Sequence, residues 1–281
     1  MRNMVCKGES YLPKVLLLLF LTVCFQNRAF AEAHIDTYHD IVREFIPMEA
    51  DLIKPNQPAG AHSIQVYDFD HDGHMEIVAT YRLKEHVKKL HMAVLKSENS
   101  QWKKVFEKTE DGLDIEFSGM ADLTGDGLPE YIIGWGQGAS AGSKIEVFKW
   151  NNNTLDGIME PRYFHKLELV QTDNSTSLAL WERYCCDAFL VEVLAWDGRQ
   201  MNFNEEQYKK YYPKVEKYHI DKIKYMDAWF YWYTLADAQL KANYLDDAKE
   251  SIQRGLSYTH GREEFNSLRK RLEEKLLSTQ H

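Results

Sequence analysis

Only four of the 281 residues are cysteine, and two of them, Cys6 and Cys24, fall near the N-terminus. No CxxC pair exists, so neither a zinc ribbon nor a thioredoxin-type motif is encoded. Cys185 and Cys186 are adjacent in WERYCCDAF. Adjacent residues rarely reach disulfide geometry, and alternation along a strand predicts two thiols on opposite faces. A strained vicinal disulfide is the alternative. Basic residues are in deficit, 34 against 43 acidic, for a net charge of −9. That balance argues against nucleic acid and anionic lipid as partners and suits cations. GxSxG, HExxH and a supported Cys–His pair are all missing. His86, His91 and His165 stand alone and read as surface or core residues. GWGQGASAGSK (134–144) lacks the GK[ST] ending and runs into a strand, so it reads as a Gly-rich hairpin rather than a phosphate loop.

Long apolar runs are absent too, with one exception. VLLLLFLTVCF follows Arg2, Lys7 and Lys14 and precedes the small-x-small sites AFA and AEA. This order predicts a secretory signal peptide over residues 1–31, with an apolar stretch too short to span a bilayer. A membrane anchor is the lesser alternative. So is a lipoprotein, because Val23 stands before Cys24 where a small residue belongs. Cleavage would remove four basic residues and one acidic one, leaving the remainder at −12. The expectation is a secreted or cell-envelope protein with no membrane span in its mature chain.

Residues 32–61 read as a weakly helical or linker segment, with the helix ending near Pro47 or Pro55. From residue 62 to 204, short β-rich runs alternate with turns. Repetition is internal: Asp68–Glu76 returns 54 residues on as Asp122–Glu130, and Trp135 and Trp150 match Trp181 and Trp196 at an offset of 46. This predicts three units, 62–111, 112–164 and 165–204, each about four strands and the size of one propeller blade. The tryptophans then belong to the core between units. Three blades are too few for an ordinary closed ring, so an open or partial propeller is expected. Residues 205–281 turn helical. Trp232, Leu235, Ala236, Ala248, Ile252 and Gly255 stand at tetratricopeptide offsets, which predicts one such helical hairpin.

YDFDHDGHMEIV carries the sharpest signal. Carboxylates fall at loop positions 1, 3 and 5 (Asp68, Asp70, Asp72). Gly73 follows for a sharp turn, then His74 with its backbone carbonyl and Glu76 with a further carboxylate. Alternating carboxylates on a tight loop converge on one centre, and a hard cation relieves their repulsion. The second copy has Asp122, Thr124, Asp126, Gly127, Leu128 and Glu130, one carboxylate fewer. An EF-hand is rejected, since position 12 is Ala79 or Ile133 and a strand follows where a helix is needed. The third unit has ERYCCDA where a loop would fall, with no such pattern.

D-x-D-x-D-G-x-x-[DE] running into a strand resembles the calcium loop of FG-GAP and VCBS repeats, found in integrin-type propellers and many exported bacterial proteins. The likeness covers residues 62–204. It implies Ca²⁺ held by the first loop and more weakly by the second, in an architectural role. The expected function is a non-catalytic binding or scaffolding module for a cell-envelope protein or polysaccharide. The alternative is an envelope-polymer hydrolase whose site is assembled from distant residues, which a clustering of Glu and His in one cleft would favour.

Overall fold

The computed structural model describes residues 38–278. The expected signal peptide lies outside the described residues, as do Cys6 and Cys24. The chain divides into two units, one ending at Met48 and one beginning at Glu49. In the first, residues 38–45 form a short helix, α1. It stops ahead of Pro47, whose ring disfavours helical backbone at Ile46.

The second unit is mainly β, with a helical C-terminal segment. Its first sheet holds β1 (Ala50–Leu52), β2 (Ile64–Tyr67), β3 (Glu76–Leu83), β4 (Lys89–Glu98) and β5 (Gln101–Asp111). The 32–61 segment is therefore not helix and linker alone, because Ala50–Leu52 pairs with Tyr81–Leu83. β1 and β2 lie one after the other along the same edge of β3. The second sheet holds β6 (Asp114–Ala121), β7 (Glu130–Gly136), β8 (Ser143–Asn151), β9 (Thr154–Gly157) and β10 (Arg162–Phe164), with β9 and β10 sharing an edge of β8. The third is β11 (Lys166–Gln171), β12 (Thr176–Cys185), β13 (Ala188–Trp196) and β14 (Met201–Phe203). All three sheets are antiparallel, and among the described residues none closes into a barrel.

The sheets stack in chain order. β7 is buried along its whole length because it has a neighbour on each face. Tyr131, Ile133 and Trp135 point into one core with Val78, Met92 and Val94 of the first sheet. Ile132 joins Leu178, Leu180 and Leu194 of the third sheet in another. This is the two-sided burial that makes a strand read as one apolar run rather than an alternation. Trp135 has no exposed surface, and its indole N–H donates to Glu146 at 2.7 Å. Replacing it with alanine would cost on the order of 3–5 kcal/mol. The segment before β2 also crosses to the second sheet: Asn56 and Gln57 donate their N–H groups to Ile115 and Glu116 carbonyls at 2.8 and 2.9 Å.

The outer face of the third sheet is covered by helices. α2 (Glu205–Tyr225) starts at Asn204, whose side chain accepts the Gln207 N–H and so satisfies one open donor of the first turn. Tyr208, Tyr211, Tyr212 and Val215 pack with Trp181, Phe189 and Val193. Trp181 thus faces the helical segment rather than another sheet. α3 (Trp229–Lys241) and α4 (Leu245–Leu256) form an antiparallel hairpin, followed by α5 (Arg262–Ser278). Leu235, Ala236, Ala248, Ile252 and Gly255 are buried. A Cβ on Gly255 would stand 2.0 Å from the Phe265 ring, so only glycine lets α5 lie this close.

Candidate functional site

Both acidic loops connect the strand entering a sheet to the strand beside it, β2 to β3 and β6 to β7. Gly73 and Gly127 turn them with φ of +83° and +86°, a backbone that L side chains rarely adopt. The carboxylates first satisfy the loop's own N–H groups. In loop one Asp68 accepts from Gly73 at 3.1 Å, Asp72 from His74 at 2.7 Å and Glu76 from Phe69 at 3.1 Å. In loop two Asp122 accepts from Gly125 and Gly127 at 2.7 and 3.1 Å. Asp126 accepts from Leu128 at 3.0 Å, and Glu130 from Leu123 at 2.8 Å. His74 is exposed, and Leu128 contributes its N–H.

A residue that the sequence pattern does not announce completes each loop. Lys96, on β4, is 6% exposed and reaches Asp70 at 3.1 Å, Asp72 at 3.4 Å and Glu76 at 3.0 Å. Lys149, on β8, pairs with Asp126, lies 3.5 Å from Glu130 and donates to Thr124 at 3.1 Å. Burial alone would lower the Lys96 pKa, but Glu76 and Asp70 outweigh it and hold the ammonium above its ordinary value. The same balance, struck with Asp126 and Glu130, raises Lys149. Burial raises the Glu76 carboxyl despite Lys96 beside it. At Asp70, burial is outweighed by Lys96 and Trp150, and the carboxyl sits below the usual range.

Each loop leans on the following sheet. The Trp150 indole N–H donates to Asp70 at 3.1 Å, and its ring stacks on Phe69 with centroids 5.0 Å apart. The Asp122 carbonyl accepts the Thr176 N–H at 2.7 Å. The counterpart in the third sheet is TDNS (172–175) between β11 and β12, half as long and closed by Thr172 and Ser175. ERYCCDA is instead the β12–β13 hairpin. Its cysteines are not on opposite faces of a strand: Cys186 occupies the turn with φ of +53°, and the two sulfurs lie 3.4 Å apart.

The two donor sets differ toward a metal. Asp68, Asp70 and Glu76 each bring an oxygen within 4.8 Å of the others, and Asp68 Oδ1 is buried with no partner. That set has the oxygens a hard cation takes, with Asp68 Oδ1 open and Lys96 standing on Asp70 and Glu76. In loop two the Glu130 oxygens are taken by Leu123, Thr124 and Lys149. That set does not fit one as it stands.

Two clefts add to this picture. One, of about 350 Å³, lies between β11 and α2, with Trp181 at its back, Tyr218 on its wall and four lysines, Lys166, Lys214, Lys217 and Lys222, around it. Lys166 stands over the rings of Phe189 at 4.3 Å, Tyr218 at 4.9 Å and Trp181 at 5.6 Å. Desolvation there, and then Lys222, lower its pKa. The other cleft, of about 310 Å³, sits at the Gly-rich β7–β8 hairpin and gathers Asp114, Glu116, His165 and Arg183. Glu116 is held by Asn56 and Gln57 at 2.9 and 3.0 Å, and His165 Nδ1 accepts the Arg183 N–H at 3.1 Å. No protein-family model matches the chain, and no curated protein matches it.

Proposed function

We propose that the chain is an exported, non-catalytic β-repeat binding module that holds an anionic cell-envelope polysaccharide in the cleft between β11 and α2. The observation that carries this is the gathering of four lysines around two aromatic side chains in a chain of net charge −9. A half-buried ring such as Tyr218 covers the apolar face of a sugar, ammonium groups pair with its carboxylates or phosphates, and Trp181, 3% exposed, closes the back of the cleft. Lys214, Lys217 and Lys222 are already matched by Glu168, Asp221 and Asp187, whereas Lys166 is held by rings. The three sheets are blades of the FG-GAP/VCBS kind in this reading, and α3–α4 is a single tetratricopeptide-like hairpin. Asp68, Asp70 and Glu76 would hold Ca²⁺, which supplies charge neutralisation and stiffness to the loop. Binding of polygalacturonate, with dextran as the uncharged control, tests the polysaccharide reading. Saturable binding to the first alone, lost in K166A/K222A, supports it. Equal binding to both, or to neither, refutes it.

The hydrolase reading has one observation in its favour: Asp114, Glu116 and His165 share a cleft. Against it, Glu116 has both carboxylate oxygens engaged, and the His165 Nδ1 lone pair is already used. A general base needs that lone pair free.

A further inference from the structure

The carboxylates of both loops converge on a cation that the chain itself supplies. We propose that Lys96 and Lys149 are the resident cations of the two loops, tethered ammonium groups that occupy the place of a metal ion and set how strongly the loops take one. The inference rests on the cation reading of the loops given above. Three observations carry it. The two lysines come from equivalent strands, each paired to the strand that leaves its loop, and stand 53 residues apart where the loops stand 54 apart. Each reaches the carboxylates at loop position 5 and at the following strand's first residue, Asp72 and Glu76 or Asp126 and Glu130. Lys96 is almost fully buried, so its charge has no role at the surface.

An ammonium carries one charge and directs three donors, which suits a cluster that has lost part of its carboxylate set. Loop two shows this directly. Thr124 replaces a carboxylate, its hydroxyl donates to Glu130, and Lys149 takes what remains. Loop one keeps all its carboxylates, and Lys96 leaves Asp68 Oδ1 without a partner. A divalent ion entering loop one therefore has to displace Lys96 from Asp70 and Glu76. The chain folds around its own cations, and Ca²⁺ is an exchangeable addition.

The test is calorimetric titration of the full chain and its variants with CaCl₂, with Tm measured in EDTA and in CaCl₂. The variants are K96M, K149M and the exposed control K103M. Removing the ammonium should lower Tm in EDTA. Ca²⁺ should restore it and bind about tenfold or more tightly than to the parent, as ligand charge no longer neutralised attracts the ion. K149M should gain a Ca²⁺ site at loop two that the parent lacks. K103M should match the parent. Lys149 is 29% exposed, so K149M keeps the question open to measurement if K96M does not fold. Unchanged Tm on removal of either lysine, or variants that bind Ca²⁺ no better than the parent, would overturn the inference. Tight Ca²⁺ binding by the parent with K96M unchanged leaves the calcium reading standing and sinks this one. A silent parent with responsive variants does the reverse.

Discussion

Trp150 of the second sheet donates its indole N–H to Asp70 of the first, 80 residues earlier, while its ring lies flat on Phe69. One side chain thus supplies both a hydrogen bond to a charged loop and apolar cover for the residue beside it. W150F separates the two, because it retains a ring against Phe69 and deletes the donor. A hydrogen bond to a charged group is worth about 1.5–3 kcal/mol. Part of that is offset here because Lys96 remains on Asp70, so the expected loss in urea unfolding is about 1–2 kcal/mol. An unchanged midpoint would mean the bond contributes nothing.

Asp237 fastens α3 to α5. It is 4% exposed, 2.7 Å from Arg271 and 2.9 Å from Lys241. Burial raises its pKa, but Lys241 and Arg271 outweigh that and hold the carboxyl below the usual range. D237N leaves two cations facing a neutral amide, at an expected cost of about 3 kcal/mol in chemical denaturation. R271A, at a half-exposed partner, should cost less. The reverse order would contradict this account.

His219 makes the helical segment sensitive to acid. It has no exposed surface, and its Nδ1 meets the Thr234 hydroxyl at 3.2 Å. Burial, only partly countered by Asp237, holds its pKa at about 4 against an ordinary 6.5. Between those values the unfolded chain binds a proton that the folded chain refuses. Stability is therefore full above pH 6.5 and falls as the pH drops toward 4, by roughly 3 kcal/mol in all. Denaturation midpoints from pH 7 to pH 4 should show this slope for the parent, and H219Q should flatten it.

Cys185 and Cys186 should act together on a dithiol reagent. Their sulfurs are 3.4 Å apart on an accessible turn. Phenylarsine oxide bridges two neighbouring thiolates, so the reduced chain should gain one phenylarsenic group there, located by peptide mapping. C186S should abolish it. Labelling that survives C186S would place the reactive thiols elsewhere.

The acidic loops were legible because everything that makes them is local: alternating carboxylates, a turn glycine and a strand, all within nine residues. Their lysines were not, since pairing of β3 with β4 and of β7 with β8 is what brings Lys96 and Lys149 over the loops. A trace was present, as both lysines interrupt apolar runs, AVLKS and EVFKW, where a solvated charge has no reason to stand. The helix expected up to Pro47 or Pro55 stopped at the first of them, and strand pairing claimed Ala50–Leu52. The cysteines failed for a different reason. Cys185 is the last residue of β12 and Cys186 the first of the turn, so strand alternation ends between them, and a left-handed backbone at Cys186 turns both sulfurs to one side. The basic cleft joins β11 to α2 across some 50 residues of chain, beyond any local pattern.

Lys149 and Trp150 are consecutive on β8, and alternation sends one to loop two and the other to loop one. Loss of β8 would weaken both loops at once: loop two would lose its lysine and loop one its tryptophan, while Lys96 on β4 would still hold loop one. Exchange of the Gly127 and Leu128 amide protons with solvent should accordingly follow the departure of β8 more closely than exchange of Gly73 and His74.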